Sequence, residues 1–492
     1  MAGLSDAIRP RSGEAADLAG FLRRLEGALP EAVLVVERPL ALRWEITALQ
    51  HGLEHRGRYP VLLVEQPRRD DGSISAVPVV TNLMASRRVA AAVLGVDDHR
   101  RAAPELASRL AEGAEIPPVV VARSDAPVYA TLREHDDADL GMVPALVQHR
   151  LDPGPYLSAA HATTFDPVSG VDNTAIQRAW VRPPRELRYF PYPSSHNWAN
   201  VRAWWARGED APIAFWIGHH PAIDVGANQK IGYPESHWGK AGSLTGVPVR
   251  LTPTVTFGDA LMVPADAECV LEGWVRRDTW RAEGPFGEYT GYSGPQRPSP
   301  VVDIEVIATR ASWRYHDYAS GLADMLVPDN LLHEATVFAA VRREVPSLVN
   351  VHVPSSARRF HAYLQLDHPA PGEARRALEL ALANRRVKHA VALDVDVDLF
   401  DERSVAWAIA TRVQWSRDAF GLRGGECSTL DPSLPPGATT SDKAGLDATL
   451  PSPVAPGLPP PVAPVSEPGG GLDPGRLVDE IVGQAVSDLV AE

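Results

Sequence analysis

Arg281-Ala282-Glu283-Gly284-Pro285-Phe286-Gly287-Glu288-Tyr289-Thr290-Gly291-Tyr292 sets two carboxylates five residues apart around a Gly-Pro-Phe-Gly turn, within a region of short β-type runs. Glycines 284 and 287 permit backbone angles that other residues resist, and Pro285 fixes its own. The turn is therefore stiff where it holds the acids and tight where something must approach, an arrangement suited to proton chemistry. Taken alone, an E-x4-E pair is more often two solvated loop glutamates, because exposed Glu is the norm.

Around this turn, from Pro117-Pro118 to about residue 318, the chain reads VVVA, APVYATL, LVQHRLD, HATTFDP, AWVRPP, APIAFWIG, VPVRLTPTVTF and CVLEGWV, separated by Pro and Gly. Short strands at regular spacing with turn signals predict a β-barrel or sandwich. Upstream, apolar residues at helical spacing over 14–29, 44–55 and 86–94 alternate with the apolar runs 31–37, 59–65 and 77–81, which predicts an α/β domain. Downstream, residues 328–345 form the longest helical pattern, and strands and helices then alternate to about 412. The expected fold is a multidomain α/β (α+β) protein. Its parts are an N-terminal α/β domain (1–118), a central β-barrel (119–322), a linking helix (323–346) and a C-terminal α/β domain (347–431). Residues 432–474 are rich in Pro, Gly, Ala and Ser and read as a tether, and 475–492 read as an amphipathic helix.

Composition narrows the function. A formal net charge of -14 argues against a nucleic-acid binder, which needs clustered Lys and Arg. No run approaches the length of a membrane span and the first residues lack the apolar core of a secretion signal, so a cytoplasmic location with no membrane partner is expected. With only Cys269 and Cys427, neither a disulfide framework nor a thiolate zinc site is expected.

Several constellations could carry chemistry. Asn173 and Arg178 lie five apart after the turn DPVSG and need a local bend to serve one site, while their neighbours could offer backbone N–H groups to a phosphate. His196 follows a Pro- and aromatic-rich loop, and Glu235 and His237 lie in YPESHW. An Asn oxygen, a His nitrogen and a Glu carboxylate suit Mn²⁺ or Mg²⁺ better than zinc. His219 and His220 are adjacent on a strand, point to opposite faces and are expected to be structural. Lys388 precedes a strand that leads into Asp394, Asp396 and Asp398, where a solvated edge is the simpler reading.

In order along the chain, DPVSG, Asn173 with Arg178, His196, VPADAECVLEG at 263–273, EGPFGE with Gly291-Tyr292, Lys388-His389, DVDVD and WAIATR at 407–412 resemble the UbiD family of decarboxylases. The resemblance implies a split-barrel central domain that binds prenylated FMN. It implies that Arg178, Glu283 and Glu288 form a catalytic triad, with Glu288 protonating the carbon that CO₂ has left and Arg178 pairing with Glu283 and the substrate carboxylate. Asn173 and His196 match ligands of a divalent metal, usually Mn²⁺, that bridges the cofactor phosphate to the protein, with K⁺ beside it. Lys388 matches a residue that reaches the same phosphate, and Ile176 and Gln177 match backbone contacts to the flavin. The third ligand of the family is a Glu. An ungapped count from AGSLTG at 241–246 lands on His237, while the nearest acid is Glu235; Glu235 is favoured and His237 stays open.

Chemistry agrees with this resemblance. Loss of CO₂ from a vinyl or aryl carbon leaves an unstabilised carbanion, so an electron sink beyond the side chains is required. A free Glu titrates near about 4.3 and is a poor donor at neutral pH, so Glu288 is expected in a dry pocket. The expected activity is decarboxylation of an α,β-unsaturated or (hetero)aromatic acid, with a flavin-dependent oxidoreductase as the alternative. The expected partners are the small carboxylic acid, a flavin prenyltransferase supplying the cofactor and a second copy of the chain.

Overall fold

The computed structural model describes residues 3–11, 13–435 and 437–450. Near the N-terminus, Val33–Val36 pairs parallel with Val61–Val64, which pairs antiparallel with Val79–Thr81. The fourth strand of this sheet, Tyr315–His316, arrives from far along the chain and pairs parallel with Val79–Thr81. Helix Leu18–Ala28 forms because Leu18, Phe21, Leu22 and Leu25 recur at helical spacing and all four are buried, and the Asp17 carboxylate caps it by accepting from Gly20 N at 2.6 Å. The Ala-rich helix Arg87–Val93 starts on Ser86. Helix Ala102–Glu112, which carries its own apolar stripe, extends this region beyond the expected helices.

In the central region the strands pair in the order Asp172–Ile176, His161–Phe165, Ala211–Ile217, Cys269–Glu283, Arg297–Thr309, Glu186–Tyr189, Ala179–Arg182 and Tyr156–Leu157, with Thr131–Glu134 also on Arg297–Thr309. The two ends of this path are not paired with each other. The expected barrel is thus corrected to an open nine-stranded sheet: one end is a two-residue strand, which offers too few backbone groups to close a cylinder. Every residue of Ala211–Ile217 is buried. Ile213, Phe215 and Ile217 enter one core while Ala214 and Trp216 enter another, which explains its unbroken apolar run.

Helix Ala323–Arg342 joins two cores. Its Val327, Leu331 and Ala335 pack with the N-terminal residues, and its Val337 and Val341 with the C-terminal ones. The C-terminal sheet has the order Leu348–His352, His361–Leu366, His389–Asp394, Thr440–Asp447, Ala419–Glu426. Thr440–Asp447 therefore corrects the expected tether: it is an interior strand, paired parallel with His389–Asp394 and antiparallel with Ala419–Glu426. The rest of the tether beyond residue 450 and the helix at 475–492 lie outside the described residues. Cys269 and Cys427 are free and buried. Among the described residues, no helix is long and apolar enough to cross a membrane.

Candidate active site

The fifteen-residue strand Cys269–Glu283 ends on one of the two acids, and after the Gly-Pro turn Phe286–Gly287 pairs antiparallel with Ser293–Gly294. Gly284 adopts φ +85°, where a side chain would be strained, and a Cβ on Gly287 would lie 2.3 Å from His149 Nδ1. The turn is tied down by Gly284 N donating to the Tyr156 hydroxyl at 3.1 Å, Gly287 N donating to Asp152 Oδ1 at 3.2 Å and Ser320 Oγ donating to Gly287 O at 2.5 Å.

Arg178 sits in the bend between strands Asp172–Ile176 and Ala179–Arg182. Its Nε and Nη2 donate to Glu283 Oε1 and Oε2, both at 3.0 Å, and its Nη1 donates to Glu288 Oε1. The guanidinium carbon lies 4.5 Å from the Phe190 ring centroid and 4.7 Å from that of Phe286. Burial works against the Arg178 charge, but Glu288 and Glu283 outweigh it and raise its pKa. Glu283 is fully buried, whereas Glu288 keeps 14% of its side chain exposed. The sequence expectation put the substrate carboxylate on Arg178 beside Glu283; in this structure Glu288 occupies that edge.

Arg178 and Glu288 line a cavity of about 1050 Å³ together with Ile176, Gln177, Phe286 and Tyr318. The amides of Ile176 and Gln177 are already committed, to Asn228 Oδ1 at 2.7 Å and to Ala160 O at 3.1 Å. They are therefore not free to bind a phosphate, as the extended segment had suggested. A wall of the cavity comes from residues 429–432, 434, 435, 437 and 438, which sequence reasoning placed partly in the tether. Tyr192 bonds to Thr429 and the Tyr289 hydroxyl lies 2.8 Å from Ser428 Oγ, holding this segment beside the Gly-Pro-Phe-Gly turn. Met325, near the start of helix Ala323–Arg342, also lines it.

The expected metal ligands are only partly assembled. Asn173 is buried, donates its Nδ2 to Asn197 Oδ1 at 2.8 Å and leaves Oδ1 without a partner. Asn197 follows His196, the first residue of helix His196–Ala206, so Asn173 and His196 are linked through one side chain. Glu235 is exposed and accepts from Gly232 N at 3.0 Å. His237 is buried, bonds Gln229 O through Nε2 at 2.9 Å and leaves Nδ1 unpartnered; burial lowers its pKa to about 4. Two orphaned buried acceptors, Asn173 Oδ1 and His237 Nδ1, suit a cation, although no group of three or more His, Cys, Asp or Glu is gathered to hold one among the described residues. Lys388 is ion-paired to Asp431 at 2.8 Å, bonded to Ser433 at 2.6 Å, and lines a separate pocket. His219 and His220 are buried, with pKa values lowered to about 3 by burial. Asp394 and Asp396 pair with Arg412, and Asp398 with Arg100.

Three family models match successive parts of the chain. They describe the N-terminal, Rift-related and C-terminal domains of 3-octaprenyl-4-hydroxybenzoate carboxy-lyase, over residues 30–110, 119–322 and 329–448. This chain belongs to the UbiD family of carboxy-lyases. Among solved UbiD-class structures, HmfF from Pelotomaculum thermopropionicum in complex with FMN is 33% identical, with a TM-score of 0.82, covering 92% of this chain and 98% of that one. An evolved dimeric form of HmfF in complex with prFMN is 30% identical, with a TM-score of 0.80, covering 94% and 100%. Anhydromevalonate phosphate decarboxylase of Methanothermobacter thermautotrophicus is 28% identical over 432 residues, 87% of this chain and 97% of that protein.

Sequence reasoning missed two cavity cations, Arg297 and Arg385. Arg297 carried no local signal, whereas Arg385 stands in Asn384-Arg385-Arg386-Val387-Lys388, a cation-dense run in which only Lys388 drew notice.

Proposed function

We propose that this chain is a non-oxidative, reversible decarboxylase of an α,β-unsaturated or (hetero)aromatic carboxylic acid that works with prenylated FMN. The observation that carries this reading is the guanidinium of Arg178, forked on Glu283 and donating to Glu288 in the wall of a 1050 Å³ cavity. The FMN and prFMN complexes of HmfF support the cofactor class.

When bound, the prenylated flavin supplies the electron sink that the vacated carbon requires. Glu283, bonded through both oxygens, fixes the plane of Arg178. The Nη1 edge, held by Glu288, is the one that a substrate carboxylate can take. A substrate there displaces Glu288 from Arg178 and leaves its carboxyl facing the cavity. Glu288 then holds a proton inside the cavity and delivers it to the carbon from which CO₂ has left. Phe190 and Phe286 cover the faces of Arg178 and keep water off its donors.

Asn173 and His196, with Glu235 or His237, would hold Mn²⁺ or Mg²⁺, with K⁺ nearby. The cofactor would come from a flavin prenyltransferase, and the enzyme would work as a cytoplasmic homodimer. The test is co-expression with a flavin prenyltransferase, anaerobic purification with Mn²⁺ and K⁺, and a screen of cinnamate-like, polyenoic and heteroaromatic acids. Bound prenylated flavin with release of CO₂ supports the proposal. Unmodified FMN with hydride-transfer activity and no CO₂ release would replace it with the oxidoreductase reading.

A further inference from the structure

Arg297 opens strand Arg297–Thr309 and stands directly opposite Glu283, the last residue of Cys269–Glu283. Residues opposite one another in an antiparallel pair project from the same face, so Arg297 emerges beside the carboxylate that fixes Arg178. Its guanidinium carbon lies 4.5 Å from the Phe190 ring centroid, the same distance as that of Arg178. The two guanidinium carbons therefore stand within twice that distance of each other, and both side chains line the 1050 Å³ cavity.

The two arginines differ in what they hold. Arg178 donates through Nε and Nη2 to Glu283 and through Nη1 to Glu288. The side chain of Arg297 makes no hydrogen bond or ion pair among the described residues, and its Nε is buried without a partner. The two acids of the described cavity wall are both committed, Glu288 to Arg178 and Asp431 to Lys388. Stacking on Phe190 orients the guanidinium plane and leaves its N–H edges open. A buried donor with no acceptor costs free energy that an incoming acceptor recovers.

We propose that Arg297 binds a second carboxylate of the substrate, so that the enzyme selects planar unsaturated dicarboxylic acids over their monoacid counterparts. This rests on the decarboxylase reading above: the carboxylate that leaves takes the Nη1 edge of Arg178, and the one that stays takes Arg297. A carboxylate matches the guanidinium fork with two parallel bonds. An acid with one carboxylate leaves Arg297 unpaired in the complex, and that difference separates the two classes of substrate.

The test pairs acids that differ at the far end: sorbate with muconate, and cinnamate with 4-carboxycinnamate. Wild type, Arg297→Gln and Arg297→Lys are assayed for CO₂ release as holoenzyme and for binding of each acid to the FMN-loaded full chain by calorimetry, with bound flavin reporting that each variant is folded. Wild type should favour each diacid by about tenfold or more in kcat/KM and in affinity. Arg297→Gln should remove that preference by raising the KM of the diacid rather than lowering kcat, and Arg297→Lys should recover part of it. If CO₂ is released and wild type shows no preference, or Arg297→Gln keeps it, the second-carboxylate site is refuted while the decarboxylase reading stands. If no acid releases CO₂ yet muconate binding depends on Arg297, the decarboxylase reading fails and the site for a diacid stands. If Arg297→Gln weakens FMN and leaves riboflavin binding unmoved, the guanidinium serves the flavin phosphate and the proposal is overturned.

Discussion

Arg178→Lys keeps the charge and removes the fork. The wild-type guanidinium makes two bonds of 3.0 Å to Glu283 and a third to Glu288, with aromatic rings over its faces. An ammonium can satisfy one carboxylate as a point charge and cannot present a planar edge to a second. Losing two charge-assisted bonds, each worth about 1.5–3 kcal/mol, removes about 3–6 kcal/mol from an arrangement whose Glu283 is fully buried. Of this, about 3 kcal/mol should appear in the transition state, because the substrate carboxylate needs the same edge, and kcat/KM should fall by about two orders of magnitude. The assay is steady-state CO₂ release by the reconstituted enzyme with its best acid, with a thermal unfolding midpoint on the same samples. The midpoint should fall by several degrees, with the protein still folded at 25 °C. A lysine variant within about twofold of wild-type kcat/KM would refute the fork as the source of orientation.

Three further outcomes follow from particular contacts. Burial raises the pKa of Asp317 to about 8 against its bonds from Ser158 and Gln148, so the folded state holds its proton where the unfolded chain has lost it. Stability from this group therefore declines as pH rises from about 4 to about 8. Asp317→Asn should gain on wild type across that window in unfolding experiments, and a pH-independent difference would contradict this. For the metal, His237→Ala should weaken Mn²⁺ retention, measured by elemental analysis, more than Glu235→Gln if the buried Nδ1 is the ligand; the reverse order assigns Glu235. Ending the chain after residue 431 removes strand Thr440–Asp447 from between two neighbours and should yield insoluble protein. A soluble product with a wild-type unfolding midpoint would return that segment to the role of a tether.

The turn that carries Glu283 and Glu288 was legible because its signal is local. Gly284, Pro285 and Gly287 announce a constrained loop, and Glu283 and Glu288 stand within it. The meeting of Arg178 with these acids is not local, since it crosses the sheet, and it was reached through the ordered resemblance to a family. Strand Tyr315–His316 gave no signal because two residues have no period. Strand Thr440–Asp447 was hidden for a different reason: its inward positions are Ser441, Lys443 and Gly445. Lys443 is buried because its ammonium donates to Leu382 O and Asn384 O at the end of helix Glu373–Leu382, where helix carbonyls lack partners. Gly445 is needed because a Cβ there would lie 2.3 Å from the Phe420 ring. A strand whose core side is polar and glycine reads as loop to any rule based on alternating hydrophobicity.

The most direct test of the account is Glu288→Gln in the holoenzyme. Glutamine keeps the size of the side chain and cannot serve as the acid. The variant should retain prenylated flavin, by absorbance and mass, in the same amount as wild type, while turnover falls by about a thousandfold. A variant with bound cofactor and turnover within about tenfold of wild type would contradict the assignment of Glu288 as the proton donor.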